Sequence, residues 1–112
     1  MELIEEAAGG VTVIAPRGRL DSASSPILGA RMDELAATPD GRLVLDLAEV
    51  DFVSSAGLRV ILSAAKRARA AGGRLALCAI QPAVLEILEI SGFNTLLSIQ
   101  PARAVALETV TA

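Results

Sequence analysis

Two adjacent serines, Ser54 and Ser55, followed by Ala56 and Gly57, are the residues of this chain most open to chemistry, and they lie in the segment VDFVSSAGLRVIL, Val50–Leu62. A serine hydroxyl is a weak nucleophile until a neighbouring base activates it, and the commonest base is missing because the chain has no histidine. The GxSxG elbow of serine hydrolases is missing too: no glycine leads the serine pair, and no histidine can complete a triad. Asp46, Glu49 and Asp51 lie close together, but alternation along an extended segment aims them in different directions, so they read as edge and loop charges. Cys78 is the only cysteine, which excludes an intramolecular disulfide and, without histidine, most zinc sites. Its surroundings, RLALCAI, make it a buried small hydrophobe. With neither GxxxxGK[ST] nor GxGxxG present, the usual phosphate cradles are missing as well. An enzyme is not expected.

What remains is the position of the serine pair between a strand and a helix. Leu43-Val44-Leu45-Asp46-Leu47 reads as a central strand covered on both faces. A helix from about Ser55 to Ala71 buries Leu58, Ile61, Leu62, Ala65 and Ala68, turns Arg59, Lys66, Arg67 and Arg69 outward, and stops at Gly72-Gly73. Open α/β proteins expose functional groups at the carboxyl ends of their strands, and a helix N-terminus presents free N–H donors with partial positive charge. A serine there can simply cap the helix, for roughly 1 kcal/mol, with Gly57 permitting close packing. It can also carry a phosphate: the added charge, about 1.5 to 2 units, faces the favourable helix end, so the fold tolerates both states.

The other elements complete an α/β order. Met1–Ala7 and Val11–Ala15 form a hairpin through Gly9-Gly10, with Pro16 expected to interrupt or bulge the second strand. After Gly18-Arg19-Leu20-Asp21, Ser25 is the expected cap and Pro26 the first residue of a helix burying Leu28, Met32 and Leu35, ended by Pro39-Asp40-Gly41. Leu75–Ile80 is a buried strand, Pro82 opens a helix with Val84, Leu85 and Leu88, Leu96–Ile99 is a last strand, and Pro101 opens a C-terminal helix. The order ββαβαβαβα implies a mixed, mostly parallel sheet with an N-terminal hairpin and about four flanking helices, with Leu45, Leu58, Ile61, Leu62, Leu77 and Leu85 in the core.

Composition fits one folded globular domain. At 112 residues the chain is the size of one domain, and its 53% hydrophobic content lies far above that of disordered chains. No run approaches the ~18 apolar residues of a membrane span, and the acidic start MELIEE is unlike a secretory signal, so a cytoplasmic protein without membrane insertion is expected. A net charge of −3, two phenylalanines and no Trp or Tyr argue against nucleic acid as a direct ligand.

The segment VDFVSSAGLRVILSAAKRARAAGG resembles the signature of the STAS domain of bacterial anti-sigma factor antagonists, covering strand, phosphorylatable serine, glycine and helix. GRLDSASSP, Gly18–Pro26, looks like that family's second strand running into its first helix, and RLALCAIQPAVLEILEISGF, Arg74–Phe93, like its fourth strand and third helix. The resemblance keeps its order over nearly the whole chain and implies one STAS domain, residues 1–112, acting in a partner switch. The unphosphorylated antagonist would bind an ATP-dependent serine kinase that is also the anti-sigma factor, freeing a sigma factor. Phosphorylation would end that complex, and a metal-dependent serine phosphatase would restore it. Nucleotide and metal belong to those partners, so no cofactor of this chain is implied.

Aligned on Phe52 and Gly57, the family's phosphorylated serine falls on Ser55. Ser54 stands where many members have aspartate and Ala56 where they have a second hydroxyl residue, while Asp21 matches an aspartate near the switch serine. Asp21, Ser54, Ala56, Gly57 and Arg59 are the resulting candidates for partner contact. The resemblance also admits a STAS subunit of a response-regulator pathway, a stress-signalling complex or a lipid-transport assembly, and a domain that binds a small ligand or nucleotide.

Overall fold

The computed structural model describes residues 1–112. Strands β1, Glu2–Ala8, and β2, Val11–Leu20, are joined by Gly9 and Gly10 at φ 57° and 82°, the left-handed values that a two-residue hairpin turn demands. The chain continues through α1, Ser25–Ala36; β3, Arg42–Asp46; β4, Val50–Val53; α2, Ser55–Ala70; and β5, Arg74–Cys78. It ends with α3, Pro82–Ile90; a 3-10 turn, Phe93–Leu96; β6, Ser98–Gln100; and α4, Arg103–Thr111. The sheet order is β1-β2-β3-β5-β6, with β4 paired to the far end of β2. Only the β1–β2 pair is antiparallel; the other strand pairs are parallel.

β3 lies between β2 and β5, and its alternation feeds two cores. Leu43 and Leu45 join Ile14 and Leu77 beneath Leu28, Met32, Leu58, Ile61 and Leu88 of α1, α2 and α3. Val44 joins Val11, Val13, Ala76 and Cys78 against Ala106 and Val110 of α4. A strand covered on both faces has no solvent side to keep polar, hence its unbroken apolar run.

Several expectations are corrected by packing. β2 runs through Pro16 to Leu20 and shifts register only between Gly18 and Arg19. The Gly18 N–H donates toward Glu49 O, and two-residue alternation puts the Pro16 nitrogen on that same side. There β3 has paired only as far as Ile14 and β4 begins only at Gly18, so the missing donor breaks no ladder bond. β4 is a sixth strand, added to the five that periodicity indicates. Helix α1 is capped at Ser24, one residue early, placing Pro26 second in the helix. α4 starts at Arg103 rather than Pro101, and β6 at Ser98 because Phe93–Leu96 coils into the 3-10 turn. Leu62 and Leu85 are only half-buried; Val84 and Leu88 fill the core from α3.

Asp46 is not an edge charge. It is buried, accepts from the Ala48 N–H at 3.0 Å, and pairs with Arg103 Nε at 2.9 Å, while Arg103 Nη1 also reaches Glu6 at 2.7 Å. Glu49 and Asp51 are exposed. Cys78 is buried as expected, and burial, with a smaller push from Asp46 against the pull of Arg103, raises its thiol to about 11. Native protein is therefore expected to resist iodoacetamide at pH 8 and to react once denatured; rapid labelling without denaturant would show that α4 does not seal its face of the sheet.

Candidate functional site

The serine turn is fixed from β2. The Ser54 N–H donates to Leu20 O at 2.8 Å, tying the end of β4 to the end of β2. Ser54 has extended backbone, φ −84° and ψ 174°, and its Oγ accepts from the Gly57 N–H at 3.3 Å. Its carbonyl accepts the Leu58 N–H at 2.9 Å, the first bond of α2. Ser54 is thus the N-cap, and its hydroxyl is committed to the helix. Ser55, the first residue of α2, is exposed and outside the cap. Cap and free hydroxyl, alternatives for either serine in sequence, fall on different residues.

Gly57 is where α2 meets β2. A Cβ there would lie 2.8 Å from Leu20 Cγ and 2.9 Å from Leu20 O, and Leu20 is fully buried. A backbone oxygen cannot rotate away, so Gly57→Ala is expected to cost about 1 to 3 kcal/mol and to lift the start of α2 off β2. Chemical denaturation checks this; unchanged stability would mean that the helix slides freely.

Asp21 organises the neighbouring β2–α1 turn. Its Oδ1 accepts from the Ser24 N–H at 3.0 Å and the Ala23 N–H at 3.1 Å, and the Ser24 hydroxyl donates to Arg19 O at 2.6 Å. The Ser24 N–H bond above all, opposed by desolvation and aided by the Ala23 N–H, holds the carboxyl below its ordinary range. A depressed carboxyl contributes stability above its unfolded value of about 3.9 and loses it as pH falls through the folded value, so this turn loosens only in acid. Arg19 lies over the Phe52 ring, 4.2 Å from its centroid, bracing β2 against β4.

Two hollows flank the start of α2. Between α1 and α2, one of about 330 Å³ is bordered by Ser25, Asp33, Ala56 and Arg59. On the other side, one of about 380 Å³ is bordered by Ser55, Leu58, Arg59, Leu62, Ser91 and Phe93. Arg59 borders both, one helical turn from Ser55. The structure therefore gathers Ser54, Ser55, Ala56, Gly57 and Arg59 at one helix end, with Asp21 in the adjoining turn. Sequence reasoning missed Leu62 and Phe93 as surface residues of this site. Leu62 carried a signal, standing seven residues from Ser55 on the same helical face, whereas Phe93 reaches it only through the fold.

With this geometry in view, the chain was compared with known proteins. The sequence model described as STAS domain matches residues 3–106. BtrV of Bordetella bronchiseptica, named a candidate anti-sigma factor antagonist, is 37% identical over 106 residues, covering 95% of this chain and 91% of that protein. An anti-sigma F factor antagonist of Paenibacillus polymyxa is 33% identical over 91 residues, covering 80% and 78%. The crystal structure of an anti-sigma factor antagonist from Mycobacterium paratuberculosis superposes with a TM-score of 0.87 at 25% identity, covering 99% of this chain and 94% of that one. The match to the family sequence over most of the chain, on the fold just described, makes this protein a member of the STAS domain family.

Proposed function

We propose that this chain is an anti-sigma factor antagonist, a binding module switched by phosphorylation of Ser55. Unphosphorylated, it binds a serine kinase that also holds a sigma factor, and so releases the sigma factor; phosphorylated, it lets the kinase go. A metal-dependent serine phosphatase resets it. The observation that carries this reading is the division of labour at the start of α2: Ser54 supplies the cap, leaving Ser55 exposed at the positive helix end beside a hollow partly lined by Leu58, Leu62 and Phe93. The names of the relatives support an anti-sigma factor as the partner, and the kinase identity of that partner is part of the proposal.

Affinity capture from native cells tests it. Ser55→Ala bait should retain a kinase-type ATPase that Ser55→Asp bait does not, and identical captures would contradict the proposal. Arg59, one turn from Ser55, should steer association more than Arg69 at the far end of α2. Arg59→Glu is expected to slow the association step roughly threefold to tenfold and Arg69→Glu by less, as read by stopped-flow kinetics; an association rate slowed as much by Arg69→Glu would contradict steering centred on Ser55.

A further inference from the structure

A trough runs along α2 on the side away from α1, built of three hollows in series. Ser55, Arg59, Leu62 and Phe93 help line the first, of about 380 Å³. Leu62, Lys66, Arg69 and Leu96 help line the second, of about 170 Å³. Arg69, Arg74, Leu75 and Leu96 help line the third, of about 320 Å³. Leu62 is common to the first two, and Arg69 and Leu96 to the last two, so the surface is continuous. Ser55, Arg59, Leu62, Lys66 and Arg69 recur at spacings of four and three, one face of a helix. From Ser55 to Arg69 the trough runs roughly 21 Å at the 1.5 Å rise of an α-helix.

Its charge sets it apart. Arg59, Lys66 and Arg69 line it, with Arg74 at its far end held by the carbonyls of Thr109 and Ala112, and no Asp or Glu does, in a chain whose net charge is −3. The other flank of α2 is neutralised, with Arg67 paired to Asp33 at 3.3 Å, whereas Arg59, Lys66 and Arg69 form no ion pair within the chain. Leu96 is 56% exposed at the middle of the trough, opposite the helix. Unpaired cations beside uncovered apolar side chains suit a partner segment that is acidic along one edge and apolar along the other.

We propose that the trough docks an acidic amphipathic helix of the partner kinase, about four turns long, with apolar side chains over Leu62, Phe93 and Leu96 and carboxylates facing Lys66 and Arg69. This rests on the reading of Ser55 as the switch in a kinase interface, and extends that interface down the whole of α2.

The test uses the purified kinase that phosphorylates Ser55. Titration calorimetry at low and high salt should show Lys66→Glu/Arg69→Glu binding roughly tenfold or more weakly than wild type, with a flatter salt dependence, and Arg67→Glu within about threefold of it. A benzophenone on Leu96→Cys, with Cys78 buried and out of competition, should cross-link to a kinase segment bearing carboxylates and apolar residues at helical spacing. Wild-type affinity for the double variant, or cross-links only to a segment without acidic residues, overturns the proposal. Ser55→Asp, titrated alongside, separates the two readings. If it is released while the double variant binds like wild type, only the docked helix is wrong; if it binds like wild type, the switch is wrong and the double variant still decides the trough.

Discussion

Ser55→Asp is expected to bind the kinase roughly a hundredfold to several thousandfold more weakly than the parent while melting within a few degrees of it, or slightly higher. The affinity loss follows from placing a charge inside a formed interface with no waiting partner, which costs about 3 to 5 kcal/mol. The unperturbed fold follows from the position of Ser55 as the exposed first residue of α2, outside the cap bond from Gly57 to Ser54. An anion at a helix N-terminus is worth about 0.3 to 1 kcal/mol, a few degrees at most for a chain of this size. Ser55→Ala should bind without regulation and accept no phosphate, and Ser54→Ala should lose roughly 1 kcal/mol of stability yet still be phosphorylated. Calorimetric binding and thermal melting, run on the same preparations, separate the effects. A Ser55→Asp variant that fails to bind because it is unfolded would speak only to packing.

The largest effect on stability is expected at Arg103, far from the switch in sequence and on the opposite face of the sheet. Arg103→Ala leaves Asp46, 10% exposed at its side chain, with only the Ala48 N–H for a partner. Breaking a buried pair from one side typically costs about 3 to 5 kcal/mol; with Arg103 itself 35% exposed, about 3 is expected, or roughly 10 °C in melting temperature. The double variant Asp46→Leu/Arg103→Leu should recover most of it, because no uncompensated charge is left behind. Urea denaturation of Asp46→Leu, Arg103→Leu and the double measures the coupling. A coupling near zero would mean that the bond from Arg103 to Asp46 contributes nothing to holding α4 on the sheet. Kinase binding should survive in every folded member of the set, since neither Asp46 nor Arg103 lines any of the three hollows beside α2.

The contrast between these residues shows what sequence could and could not reveal. Periodicity and turn chemistry located α2, its stop at Gly72-Gly73, the hairpin turn and the doubly covered β3, because each is decided by neighbours a few residues away. The four residues of β4 were too few to show alternation, and the strand exists because β2 outlasts β3 and offers its free end. Asp46 looked like a loop charge since its partner, Arg103, comes from 57 residues along the chain. Ser24 and Ser25 were equally good caps by type; Asp21 decided between them by gathering the N–H groups of Ala23 and Ser24. The trough was the least legible feature. Leu62 reads as core on a helical wheel, and only the placement of Phe93 and Leu96 in a 3-10 turn leaves it at the surface beside unpaired cations.

The central claim, that Ser55 rather than its neighbour is the switch, is tested most directly by incubating the protein with its cognate kinase and ATP and locating the phosphate by fragmentation mass spectrometry. A single phosphate on Ser55, unchanged in Ser54→Ala and absent from Ser55→Ala, is the predicted result. Phosphate on Ser54, whose hydroxyl accepts the cap bond from Gly57, or on neither serine, would contradict it.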